Sequence, residues 1–235
     1  MPVLAALRRA LPVFLSARLL AVVLLPLVAA AIACVVAGAW AFDPLVDWVA
    51  GRVFGAATGW GSVAAAVVVL LAFVGAALAM ALVAIAVLAM PVIVRAVAAR
   101  DFPALERRRG GTFAGSIANA IATMLVFVPL WLASFVLLSL PPLFVAVSLA
   151  LSAWLNQRLL RYDALAEHAD AGEMRAIFRA ARGRLMGLGL LLAPLSYVPV
   201  VNIAAPLYAG VAFTYLCLGE LAARRAAAAP QPAER

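Results

Sequence analysis

The sequence predicts an all-α integral membrane protein, and three observations carry that prediction. Only 12% of the 235 residues are Asp, Glu, Lys or Arg, against about 25% in soluble domains. The apolar fraction is 68% and the mean hydropathy is +1.14, too apolar to leave a polar shell around a water-soluble core. The remaining charge is segregated, leaving four long stretches without any ionisable acid, base or histidine. These features exclude a soluble enzyme, a disordered chain and a disulfide-stapled secreted domain. The net charge is +8 and all 18 basic residues are Arg. They lie between apolar runs, which suits a membrane edge better than a nucleic-acid face. Cys34 and Cys217 both sit in apolar stretches and read as buried free thiols.

The charge-free runs are Leu19–Phe42, Val53–Val94, Thr112–Gln157 and Leu185–Gly219, of 24, 42, 46 and 35 residues. A helix crosses the hydrocarbon with about 20 apolar residues, so the first run fits one crossing. The second opens on Gly55, Gly59 and Gly61, predicting a loop or short interfacial helix over Gly51–Gly61 and then a long helix from Ser62 to Ala98. The third run is broken at Pro141-Pro142, where two successive donors are missing and Leu140 is pushed from the helical region. It just accommodates two helices. The fourth contains Pro194, Pro199 and Pro206 and is too short for two full crossings. It has room for one crossing, or for two half-length helices joined at Tyr197–Asn202.

Charge placement favours the paired arrangement. If both later runs leave on the side they enter, 17 of the 18 Arg share one side and only Arg52 lies opposite, the asymmetry expected of cytoplasmic loops. The sequence therefore predicts two long transmembrane helices plus two pairs of hemi-penetrating (re-entrant) helices, both termini cytoplasmic, with hairpin depth left open. The basic flank and long apolar stretch of the first helix read as a retained span and not as a cleaved signal. Residues 1–222 are expected to form a single membrane domain and 223–235 a disordered cytoplasmic tail. Between them, Arg158–Arg184 is the one extensive polar segment, and Glu173, Ile177, Ala180 and Ala181 place an amphipathic helix within it.

Polar groups at apolar depth are costly, so they mark the candidate positions. Asn119 and Thr123, four apart, share a helix face and serve as helix–helix contacts or line a polar path. Asn202 follows the Pro199 turn. It either caps the next helix or sits where free helix N–H groups attract an anion at depth. Arg18 stands directly before the first run, as a snorkelling topology signal or an entrance charge for an anion. Arg107–Arg109 suit lipid headgroups or an anion-gathering mouth. Asp163, Glu167, Asp170 and Glu173 lie among Arg residues and read as an ion-pair network in preference to a metal site. His168 reads as a local hydrogen-bonding residue. Gly187, Gly189 and Gly210 are expected at close helix contacts, and Gly75 with Ala79 forms a weak small-xxx-small pattern. No nucleophile elbow, phosphate loop or metalloprotease signature occurs, so no enzymatic role and no cofactor or metal is expected.

The pattern resembles the sulfate permease CysZ and its etoposide-induced relatives. The resemblance rests on the long second helix, the Arg-rich loop and Arg161-Tyr162-Asp163-Ala164-Leu165-Ala166-Glu167-His168. It continues through Arg182, Gly187, Gly189, Pro199-Val200-Val201-Asn202, Pro206 and Gly210. It implies a bacterial inner-membrane protein that takes up sulfate, built of two long helices and two half-membrane pairs and assembled as an oligomer. One departure stands out. The family's Gly-hydrophobic-Arg-Arg motif, linked to sulfate, would place its Arg pair at Leu20 and Ala21 when anchored on Pro26. Arg18 lies where that family has the Gly. The expected function is accordingly an anion permease or channel, sulfate first, with Arg18, Asn202 and Asn119 as substrate-binding candidates. The alternative is a non-transport scaffold that organises lipids or partners. Expected partners are an inorganic anion, membrane lipids and further copies of the chain, without nucleic acid.

Overall fold

The computed structural model describes residues 2–55, 59–198 and 201–228; the side chains of Arg18, Ala86, Asn202 and Ile203 lie outside that description. Every regular element among the described residues is helical: α1 (Val3–Phe14), α2 (Ala17–Val53), α3 (Trp60–Asp101), α4 (Phe113–Ser134), α5 (Pro141–Ala166), α6 (Ala171–Ala180), α7 (Arg182–Leu192) and α8 (Val201–Ala228). Short 3-10 turns at Phe135–Ser139 and Ala193–Tyr197 follow α4 and α7. The protein is an all-α membrane protein, with five helices among the described residues long and apolar enough to cross a bilayer.

The chain divides into two compact units, residues 17–89 and residues 1–16 with 90–235. The first holds α2 and most of α3. Its helices are apolar around most of their circumference and leave large side chains uncovered, Val35 at 72% and Leu71 at 65% exposure among them. In an integral membrane protein such faces meet lipid. Phe42 and Phe73 meet at 6.5 Å between ring centroids.

Here helix lengths depart from the run lengths. The helix expected to end at Phe42 continues through Asp43, Pro44 and Asp47 to Val53. Likewise α5 runs past Gln157 to Ala166, and α8 past Gly219 to Ala228, so the boundary expected at residue 222 falls inside a helix. A charge-free run measures apolar thickness. A helix ends where its last carbonyls find other partners, and that point need not coincide with the end of the charge-free run. The loop expected over Gly51–Gly61 is correspondingly shorter. Gly55 and Gly59, with φ of +66° and +69°, take the left-handed backbone that glycine adopts without a Cβ penalty.

The second unit is built around α8. From Ala209 to Leu218 every residue of α8 is buried, as expected of a helix that is apolar all round and enclosed by protein. α5, α7 and α1 pack against it. The last turns of α3 bury Met90, Ile93, Val94, Val97 and Ala98, one face at helical spacing. α1 was not anticipated. Its Ala6, Ala10 and Val13 are buried, Phe14 meets Tyr208 edge-on at 5.7 Å, and the Tyr208 hydroxyl donates to the Leu7 carbonyl at 3.0 Å. The i, i+4, i+7 spacing of those apolar residues, with Arg8 and Arg9 between them, was the available signal.

Candidate functional site

Two helical hairpins dominate the second unit. α4 and α5 are antiparallel, and their seam is polar at the end away from the turn. Ser116 donates to Asp163 at 2.6 Å, and the Asn119 amide donates to the Arg158 carbonyl at 3.1 Å. Thr123, fully buried, donates to the Asn119 carbonyl at 2.6 Å. Tyr162 lies so close to Gly115 that a Cβ there would overlap its hydroxyl. At the turn the seam becomes aromatic, with Trp131 edge-on to Phe135 and Phe135 tilted against Phe144. Pro141 opens α5, where its missing N–H costs nothing because a helix's first donors lack intrahelical partners. No side chain caps that end, whereas Thr112 caps α4 through the Gly115 amide at 3.0 Å. The second hairpin pairs α7 with α8; the Ala193–Tyr197 turn follows α7, and residues 199–200 of the turn expected over Tyr197–Asn202 lie outside the described residues. Gly189 lets α7 approach α5 until a Cβ would stand 2.7 Å from the Ala153 carbonyl oxygen, whereas Gly187, expected in the same role, faces open space.

The charged end of this unit is organised on Glu173. Asp170 and Glu173 form a reciprocal capping box at the start of α6, the arrangement their three-residue spacing encodes. Glu173 also receives two bonds of 2.9 Å from Arg225 of α8 and one of 3.3 Å from Arg108. The same Arg225 guanidinium donates to the carbonyls of His168 at 2.7 Å and Glu106 at 3.0 Å. The Arg225 hydrogen bond, helped by the Asp170 amide, lowers the Glu173 carboxyl to a pKa of about 2. Burial holds the His168 imidazole below its usual value. The amides of Arg109, Gly110 and Gly111 donate to Glu167, Ala169 and Ala166 at 3.2, 2.9 and 3.0 Å. The loop backbone thus satisfies carbonyls that the end of α5 would leave unpaired. A Cβ on Gly111 would stand 2.6 Å from the Ala166 Cβ, which explains the glycine.

The expected ion-pair network forms through Glu167, Asp170 and Glu173, whereas Asp163 accepts from Ser116 instead. Arg95 meets Glu167 at 3.3 Å, and Arg108 meets Asp170 at 3.6 Å and Glu173 at 3.3 Å. Arg184 meets Glu220 at 2.5 Å. Arg108, also expected at lipid headgroups, is engaged with these acids while its side chain stays partly exposed. Sequence reasoning missed the reach of Arg225, and also the bond from Tyr215 to Asp101, since both join residues far apart in the chain. Among the described residues no set of three or more His, Cys, Asp or Glu is placed to hold a metal ion.

Of the three expected substrate-binding residues, Asn119 stands in the α4–α5 seam with one amide hydrogen engaged. Arg18 is the second residue of α2 and Asn202 the second of α8; their side chains, and with them the capping role considered for Asn202, lie outside the described residues. The model of the family "Sulfate transporter CysZ/Etoposide-induced protein 2.4" matches residues 6–206. The chain belongs to this family. The match runs from α1 to the start of α8, so it takes in both hairpins and the Arg-rich loop of this CysZ-family chain. Comparison with curated proteins and with solved structures gave no match.

Proposed function

We infer that this CysZ-family protein is an anion permease or channel of a bacterial inner membrane, with sulfate as its first substrate. The observation that carries this reading is the family match over residues 6–206. The chemistry of the chain agrees with it. A desolvated divalent anion needs several directed donors, because removing a charge from water is expensive. In this reading Arg18 supplies the entrance charge, Asn202 and the N–H groups that open α8 supply neutral donors, and Asn119 contributes the amide hydrogen left from its bond to Arg158. Binding stays modest enough for release. Both termini face the cytoplasm, the chain acts as one membrane domain, and several copies complete the pathway.

The test is flux of sulfate, sulfite, thiosulfate and chloride into proteoliposomes of the purified chain. Sulfate uptake above protein-free vesicles is expected, and Arg18→Ala is expected to lower it about tenfold, the loss of one charge-assisted contact of about 1.5 kcal/mol, with insertion unchanged. Absence of flux for every anion would move the protein to the scaffold reading. Flux unaffected by Arg18→Ala would remove that residue from the pathway.

A further inference from the structure

Three arginines at the junction of α5, α6 and α7 are left without an acid. Arg158 and Arg161 lie three apart on α5 and so share a face. Both are half-buried. Arg161 is held in place twice: its guanidinium sits 4.3 Å from the centre of the Phe178 ring of α6, and its Nη1 donates to the Gln157 amide oxygen at 3.2 Å. Arg158 lies 5.7 Å over the Trp154 ring, and its Nε is buried with no hydrogen-bond partner. Arg182 opens α7. Antiparallel packing fixes where it stands. Gly189 of α7 touches Ala153 of α5, and two turns back along α7 Arg182 comes level with residues 160–161 of α5. The fields of Arg158 and Arg182 both reach Arg161.

None of the three has a carboxylate at ion-pairing distance among the described residues. The acids nearest in sequence are engaged elsewhere, Asp163 by Ser116 and Glu167 by Arg95. Arg158 and Arg161 repel each other in a half-buried place beside the exposed Arg182, and a buried guanidinium N–H without an acceptor carries a desolvation cost. A ligand with several anionic oxygens removes both penalties. Guanidinium groups fixed by stacking and by a side-chain amide offer the planar, paired donors that tetrahedral oxyanions accept.

We propose that Arg158, Arg161 and Arg182 form a binding site for a tetrahedral oxyanion, either free sulfate or phosphate or the phosphate of a lipid headgroup. Gln157 and Phe178 position Arg161 and do not touch the ligand. The site uses none of the residues assigned to the transport reading, and its test reads binding instead of flux, so the two stand or fall separately.

The test uses the full-length protein purified in neutral detergent. Binding of sodium sulfate and of inorganic phosphate is measured by calorimetry, and retention of phosphatidylglycerol by mass spectrometry after washing. Arg161→Gln and Arg182→Gln are each expected to weaken binding of the retained species about tenfold, the scale of one charge-assisted contact, while Arg179→Gln on the exposed face of α6 leaves it unchanged. Arg182 is exposed, so its variant reports even if Arg161→Gln fails to fold. Loss of sulfate or phosphate binding in the variants identifies a free anion as the ligand. Loss of phosphatidylglycerol alone identifies the lipid phosphate. Binding and retention that are absent from wild type, or equal in wild type and Arg182→Gln, overturn the proposal.

Discussion

Glu173 joins three parts of the chain through one carboxylate: it closes the α6 capping box, holds Arg108 of the preceding loop and anchors Arg225 at the end of α8. Its side chain is only 14% exposed, so solvent screens these contacts less than a surface pair. A carboxyl lowered from 4.5 to about 2 is linked to stability on the order of 3 kcal/mol. The sign follows from which state holds the proton. Above about pH 4.5 the group is ionised whether folded or unfolded, and the full contribution is present. Between about 4.5 and 2 the unfolded chain takes up the proton first, and the contribution falls away. Thermal melts of detergent-solubilised Glu173→Gln should therefore lie well below wild type at pH 7, and the gap should narrow steadily below about pH 4.5 and close only as the pH falls to about 2. A gap independent of pH would mean that the charge is not what Glu173 supplies. Arg225→Ala should destabilise at least as much at neutral pH, since it also releases the carbonyls of His168 and Glu106.

Among the elements, closeness of approach separates glycines that look alike in sequence. A Cβ at Gly189 would press on the Ala153 backbone, while one at Gly187 meets nothing within 4 Å. Gly189→Ala should cost about 1–3 kcal/mol through forced separation of α5 and α7. Gly187→Ala should be neutral or stabilise by up to about 1 kcal/mol, the helix-propensity gain. Melting temperatures of the two variants check both signs, and equal effects would remove the claim of a tight α5–α7 contact. This pair also shows what was legible in the sequence. The long α3, the break at Pro141-Pro142 and the amphipathic α6 were readable because run length, proline chemistry and the helical spacing of Glu173, Ile177, Ala180 and Ala181 are local. Which glycine meets a neighbour is decided by helix rotation, and α1 was overlooked because its short amphipathic stripe merges with an apolar chain. Helix ends were misplaced wherever the helix outlasts the charge-free run, as at Asp43–Val53. Of the site, the charged loop was readable as a network, but the pairing of Glu173 with Arg225, 52 residues away, needed the fold.

For the whole molecule the decisive quantity is how far the two hairpins penetrate. Arg placement requires only that each returns to the side it left, and helix length alone would let α4 and α5 cross: α4 has 22 residues, about 33 Å at 1.5 Å per residue. α7 is different, with 11 residues, about 17 Å, too short to cross the hydrocarbon as a helix. A pair with one short arm is expected to turn inside the bilayer. The turns can be interrogated because the protein itself does not cover them: Leu140 is 56% exposed and Val198 48%. A polar reagent that fails to reach them in the membrane is held off by lipid or by another copy of the chain, not by this chain's own fold. In a background with Cys34→Ala and Cys217→Ala, Leu140→Cys and Val198→Cys should resist a membrane-impermeant maleimide added to the periplasmic side of intact cells, while Arg52→Cys reacts. Both sites should react after detergent solubilisation, which verifies that folding has not hidden them. Free labelling of Val198→Cys from outside would place the α7–α8 turn in the periplasm. The N–H groups that open α8 would then face water, where they hold no anion, and the transport reading would have to rest on Arg18 and Asn119 without them.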